Sequence, residues 1–107
     1  MRFLLLAMLA VMAAPVRAGD VPEFRLTIRD HRFVPAEVVV PANTKLKLIV
    51  VNEDPTPEEF ESHELNREKV VTGKGSITVY LGPLKPGRYP FFGEFHMATA
   101  QGAVIAR

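Results

Sequence analysis

Alternation with a period of two dominates the chain after residue 23, and prolines and glycines cut it into short lengths. Phe24, Leu26 and Ile28 alternate with Arg25, Thr27 and Arg29, the pattern of a strand with one face in a core and the other in water. Leu46, Leu48 and Val50 alternate in the same way with Lys45, Lys47 and Ile49. Glu37–Val40 is β-branched and stops at Pro41. Residues 30–35 and Pro41-Ala42-Asn43-Thr44 read as turns, and Asn43 is a residue that tolerates the left-handed backbone. Ser76–Tyr80, Arg88–Phe92 and Gly102–Ala106 are further strands, with Pro90 suggesting an edge or irregular one. Leu84-Lys85-Pro86-Gly87 predicts a tight turn with proline second and glycine third. Short strands at this spacing predict an all-β sandwich or barrel.

The first eighteen residues are of another kind. Arg2 precedes an apolar run from Phe3 to Ala14, which is too short to span a bilayer as a helix. Pro15 breaks the run, and Val16-Arg17-Ala18 offers small residues for cleavage. The expectation is a Sec-type signal peptide over 1–18, export to the periplasm, and one domain over 19–107; an N-terminal membrane anchor is the other reading. Cleavage after Ala18 would leave 89 residues with 11 basic and 12 acidic side chains, so the basic balance belongs to the precursor. No further apolar segment is long enough to span a membrane, and no basic patch with interleaved aromatics suggests nucleic acid. The chain has no cysteine. That excludes disulfides, a thiolate nucleophile, Cys-ligated zinc and a copper–thiolate centre.

Charge is concentrated in one stretch. Glu53, Asp54, Glu58, Glu59, Glu61, Glu64 and Glu68 are seven of the twelve acids, with only Arg67 and Lys69 among them. Crowded carboxylates repel one another, and a hard cation removes that cost; a solvated acidic loop is the bland alternative. Thr56-Pro57-Glu58-Glu59 looks like a helix start, but the spacing of Phe60, Leu65 and Val70 fits no helical face. Residues 54–69 are therefore read as a functional loop. A second group is Glu94-Phe95-His96-Met97, where Met97 would be the single methionine left after cleavage. Imidazole suits transition metals and thioether suits soft ones such as Cu(I); a core methionine beside a surface histidine is the alternative. His31, at a turn, is read as structural, and His63 as solvent-facing. Phosphate loops, nucleophile elbows and His-Glu-x-x-His are absent from the sequence.

Phe33-Val34-Pro35-Ala36-Glu37-Val38-Val39-Val40-Pro41-Ala42-Asn43-Thr44, with Leu46–Asn52 after it, resembles the opening of the cupredoxin fold. Leu84–Tyr89, Phe92–His96 and Gly102–Ile105 resemble its closing hairpin. The resemblance implies a cupredoxin-like Greek-key β-sandwich of about seven to eight short strands. It also implies that three blue-copper positions have changed: Gly93 stands for the cysteine, Glu58-Glu59-Phe60 for the first His-x-Phe, and Gln101 for the axial methionine. The run Glu59 to Val70 is similar to cupredoxins of bacterial iron uptake, of the EfeO and FtrB kind, although Phe33 and Gly93 replace cysteines found in some EfeO domains. That likeness implies a periplasmic partner of an iron permease and other iron-uptake components. It carries over Glu59, Glu61 and Glu68 as metal ligands, with His96 matched to the general cupredoxin histidine; Glu58 and Met97 join them by position.

The expected function is thus a periplasmic iron- and/or copper-binding component of an iron-transport system, with at most a ferroxidase-like activity. A periplasmic copper chaperone and a metal-free interaction domain are the alternatives.

Overall fold

The computed structural model describes residues 20–107, so the signal-peptide expectation falls outside it. Nine strands form two sheets among the described residues: β1 (Glu23–Arg29), β2 (Arg32–Val34), β3 (Glu37–Val40), β4 (Leu46–Asn52), β5 (Glu58–Ser62), β6 (Arg67–Val71), β7 (Ser76–Leu81), β8 (Gly87–Gly93) and β9 (Gln101–Ala106). One sheet has the order β2-β1-β4-β7 and the other β3-β9-β8-β5-β6. The pairs β1–β4 and β3–β9 are parallel and the remaining pairs antiparallel. The architecture is the all-β sandwich that the alternation predicts. No helix among the described residues is long and apolar enough to cross a membrane.

The two inner faces meet as the period of two requires. Leu26 and Ile28 of β1, and Leu46, Leu48 and Val50 of β4, point inward and are almost wholly buried. Facing them, Phe60 of β5 and Phe91 of β8 lie with ring centroids 5.1 Å apart. Phe33 of β2 closes edge-on against Phe91 at 4.9 Å. Such contacts favour one arrangement beyond simple burial.

Four local expectations change. The turn at 30–35 contains β2, with positive φ confined to Asp30 and His31. The segment 54–69 is mostly an antiparallel hairpin and has no helix. Phe60, Leu65 and Val70 fall on strand, turn and strand, which is why their spacing of five matched no single element. Pro90 sits in an inner strand; it is tolerated because the backbone of β5 pairs with β8 only at Phe92 and Gly93, while on that side the Pro90 carbonyl accepts the Ser62 hydroxyl at 2.6 Å. At 84–87 the positive φ expected of a glycine in the third position is not at Gly87, which opens β8; it falls on Gly82, at 85°. Asn43 takes φ 56°, the left-handed form such a turn needs.

Candidate functional site

The six residues singled out as one metal site separate into two groups, and the cause is the alternation within β5. Glu58, Phe60 and Ser62 face the core, while Glu59 and Glu61 face outward. Neighbouring glutamates on one strand therefore serve opposite sides of the sheet.

On the outer side, Glu59, Glu61 and Glu68 each offer a carboxylate oxygen, and the three atoms lie within 4.8 Å of one another. The hairpin register produces this: Glu61 is directly opposite Glu68, and Glu59 is two pairs further along, on the same face. The same alternation turns Arg67 and Lys69 to the other face. Arg67 gives its guanidinium to the carbonyl oxygens of Leu65, Asn66 and Tyr80, so it does not neutralise Glu68. Like charges directly opposite in a ladder oppose pairing. The cost is visible in Glu59, whose carboxyl is pushed up to about 6 by its hydrogen bond to Glu68, then by partial burial and the charges of Glu68, Glu61 and Glu94. Glu61 is raised too, by partial burial first and then by Glu68 and Glu94.

A raised carboxyl pKa means that the folded chain holds a proton that the unfolded chain releases. As pH falls from about 6 toward the ordinary 4.5, the native state gains stability from Glu59; above about 6 that gain is gone. Urea unfolding at pH 7.5 and pH 5 should therefore show a larger gain on acidification for the native sequence than for Glu68→Gln. Equal gains would mean that the carboxylates do not interact.

On the inner side, at the end of the sandwich, the short 3₁₀ turn Glu94–His96 follows β8. Glu58 is 1% exposed there, yet fully satisfied. Its Oε1 accepts the backbone N–H groups of Glu59 at 2.9 Å and Phe95 at 2.8 Å. Its Oε2 lies 2.6 Å from Nδ1 of His96. No buried side-chain polar atom among the described residues is left without a partner. The room comes from Gly93: a Cβ there would lie 2.6 Å from Cδ of Glu58 and 2.7 Å from Cβ of Ala100.

His31, read from sequence as structural, belongs to this group. Its ring stacks on His96 with centroids 3.5 Å apart and planes 12° from parallel. The turn carrying it is held from two sides. Asp54 accepts the N–H groups of Asp30 and His31 at 2.8 and 3.0 Å, and the Thr99 hydroxyl donates to the His31 carbonyl at 2.6 Å. Burial pushes the Asp54 carboxyl up, but the backbone bonds from His31 and Asp30 outweigh it and hold it below the ordinary range. Asp54 was counted among the acids of the loop; its work is to fix this turn. The sequence signal for it was Asn52, whose side-chain carbonyl accepts the Asp54 N–H at 3.0 Å and shapes the bend. Met97 is half-exposed beside His96 in sequence. Gln101 donates from its side chain to the Met97 carbonyl at 2.7 Å, so its amide is engaged in the loop.

A copper–thiolate centre does not fit these residues. The position expected to carry the thiol has no side chain, and the Glu58 carboxylate fills the space one would need. Gly93→Cys is expected to destabilise the domain by about 1–3 kcal/mol through overpacking. Pairing it with Glu58→Ala should relieve much of the clash, and thermal unfolding of the two variants checks this.

Similarity to known proteins agrees with this fold. The family model described as "Cupredoxin-like domain" matches residues 2–106. The uncharacterized protein RP394 of Rickettsia prowazekii (strain Madrid E) is 53% identical over 92 residues, covering 85% of this chain and 74% of that protein. Among solved structures, the metal-binding domain of the Cu(I)-exporting P-type ATPase CopA of Streptococcus pneumoniae D39 aligns with TM-score 0.71 at 14% identity, over 79% of this chain and 84% of that one. Auracyanin A, a "blue" copper protein of Chloroflexus aurantiacus, aligns with TM-score 0.70 at 10% identity, over 82% and 100% of the two chains. At these identities the solved structures speak for the sandwich alone, whereas the family match spans nearly the whole sequence: this chain belongs to the cupredoxin-like domain family.

Proposed function

We propose that this protein is a periplasmic metal-binding component of an iron-transport system, acting with an iron permease and other uptake components. Its cargo ion is held on the outer face of β5 and β6. The observation that carries the reading is the uncompensated placement of Glu59, Glu61 and Glu68, with two glutamates opposed in one ladder and the nearby bases turned away. Carboxylate oxygens suit a hard ion such as Fe(III). His96 would be the nitrogen ligand for a copper ion, with Met97 as a soft donor in the same loop. Such a copper ion would supply a one-electron acceptor for Fe(II) delivered to the carboxylates. Fold neighbours that bind copper, such as the metal-binding domain of the Cu(I)-exporting ATPase, support a second reading, a periplasmic copper-binding chaperone. Met97 as the single methionine after Ala18 weighs against that reading.

Calorimetric titration with Fe(III)-citrate, and with Fe(II) under anaerobic conditions, tests the iron reading. The protein should bind iron in the micromolar range or tighter. The triple variant Glu59→Gln/Glu61→Gln/Glu68→Gln should lose at least tenfold in affinity while keeping its β-sheet circular dichroism. Iron binding that is absent, or equal in the variant, would overturn the reading.

A further inference from the structure

We infer that Arg67 is a strap across the open seam of the sandwich, one that shuts the edge of β7 against strand addition by a second copy of this chain.

An edge strand presents a row of unpaired N–H and C=O groups, which is a template for another strand. Three of the four edges here carry ordinary safeguards. β2 is only three residues long. β3 has four residues and runs into Pro41. β6 brings Arg67, Glu68 and Lys69 in succession. β7 has none of these: Ser76–Leu81 is six residues long, with Ile77, Thr78 and Val79 at its centre and no charge or proline. Its backbone groups are also aimed outward. The Lys47 N–H goes to the Pro22 carbonyl on the β1 side, so Lys47 and Tyr80 are a pair without mutual hydrogen bonds. By alternation, Ser76, Thr78 and Tyr80 turn their N–H and C=O groups away from β4.

The safeguard for β7 comes from the other sheet. Arg67 is paired with Ser62, a core-facing residue, so its side chain leaves the inner side of β6. Because β6 is last in its sheet, that side chain meets the edge of the facing sheet. Its Nε and Nη2 donate to the Tyr80 carbonyl at 3.2 and 2.9 Å. Its Nη1 donates to the carbonyls of Leu65 and Asn66 at 3.2 and 2.9 Å, which ties the other side of the fork to the β5–β6 turn. A planar guanidinium can hold both ends at once.

The strand shut out is a second β7, because this edge is complementary to itself. Two such strands, antiparallel about a twofold axis through Thr78, set Ser76 opposite Tyr80 and give every outward N–H and C=O group a partner. No charge on β7 opposes the join. The join requires the Tyr80 carbonyl of each copy, and the Arg67 guanidinium stands where the incoming N–H would have to be.

The test is sedimentation velocity over micromolar to millimolar protein, with Arg67→Met, which keeps a long stem and removes the donors. The native sequence should remain a monomer. Arg67→Met should dimerise roughly ten- to a hundredfold more strongly, the net worth of two carbonyl hydrogen bonds, one freed in each copy. Arg67→Lys, with one donor head in place of a fork, should fall between the two. Thr78→Lys sets two ammonium groups opposite each other at the twofold axis. The double variant Arg67→Met/Thr78→Lys should therefore return to the monomer, which separates strand pairing from clumping of a loosened fold; circular dichroism confirms the sheet in each variant. If Arg67→Met loses its sheet spectrum, Arg67→Lys carries the same comparison. Variants no more dimeric than the native sequence overturn the proposal. A dimer that survives Thr78→Lys overturns it as well, by placing the contact on another surface.

Discussion

Replacing Glu58 by alanine is expected to cost about 3–5 kcal/mol of folding stability, among the largest effects of any single polar substitution in this domain. The side chain is fully buried, and its removal strands two backbone N–H donors, those of Glu59 and Phe95. Each buried donor left without an acceptor costs about 1–3 kcal/mol. Water entering the vacated space would recover part of this. Glu58→Gln should cost far less, because its carbonyl oxygen can still accept both N–H groups. Chemical denaturation of the two variants measures the difference; equal losses would mean that the acceptor role of Oε1 is not what holds Glu58 in the core.

Phe60→Ala should be equally severe, at about 3–5 kcal/mol, for an apolar reason. Phe60 is the wholly buried centre of an aromatic group, with Phe91 at 5.1 Å and Phe33 at 6.2 Å. No neighbour is free to fill the gap, since Phe33 and Phe91 are themselves held edge-on at 4.9 Å. Phe60→Leu should recover more than half of the loss. A loss below about 1.5 kcal/mol for the alanine variant, read from the denaturation midpoint, would show that the two sheets collapse around the site.

How much of this was legible in the sequence depended on whether an element has one buried face. The strand from Phe24 and the strand from Leu46 were readable because every second residue is apolar, and both occur as expected. β6 was not readable because it is the edge strand of its sheet: Arg67, Glu68, Lys69 and Val70 are all exposed, so no alternation marks it. The importance of Glu58 and Glu59 was visible in the charge density. Their separation onto opposite faces was not, although Phe60 held the clue: an aromatic residue two positions from Glu58 shares its side of the strand. His31 had no local signal. It meets His96 because β1 and β8 end at the same end of the sandwich, and sixty-odd residues of chain lie between them.

The hairpin register carries a consequence for insertions and deletions. β5 works like a two-sided ruler, with one set of marks read by the core and the other by the solvent. Removing a single residue from the connection between Asp54 and Pro57, were it absorbed by sliding the strand, would put Glu59 and Glu61 where Glu58 and Phe60 now sit, and would eject the phenylalanine. Removing two would preserve the parity, yet it would put Phe60 in the place of Glu58 and Ser62 in that of Phe60. Odd steps in this connection therefore exchange the two faces of the strand, whereas even steps keep the faces and change only which residue fills each place.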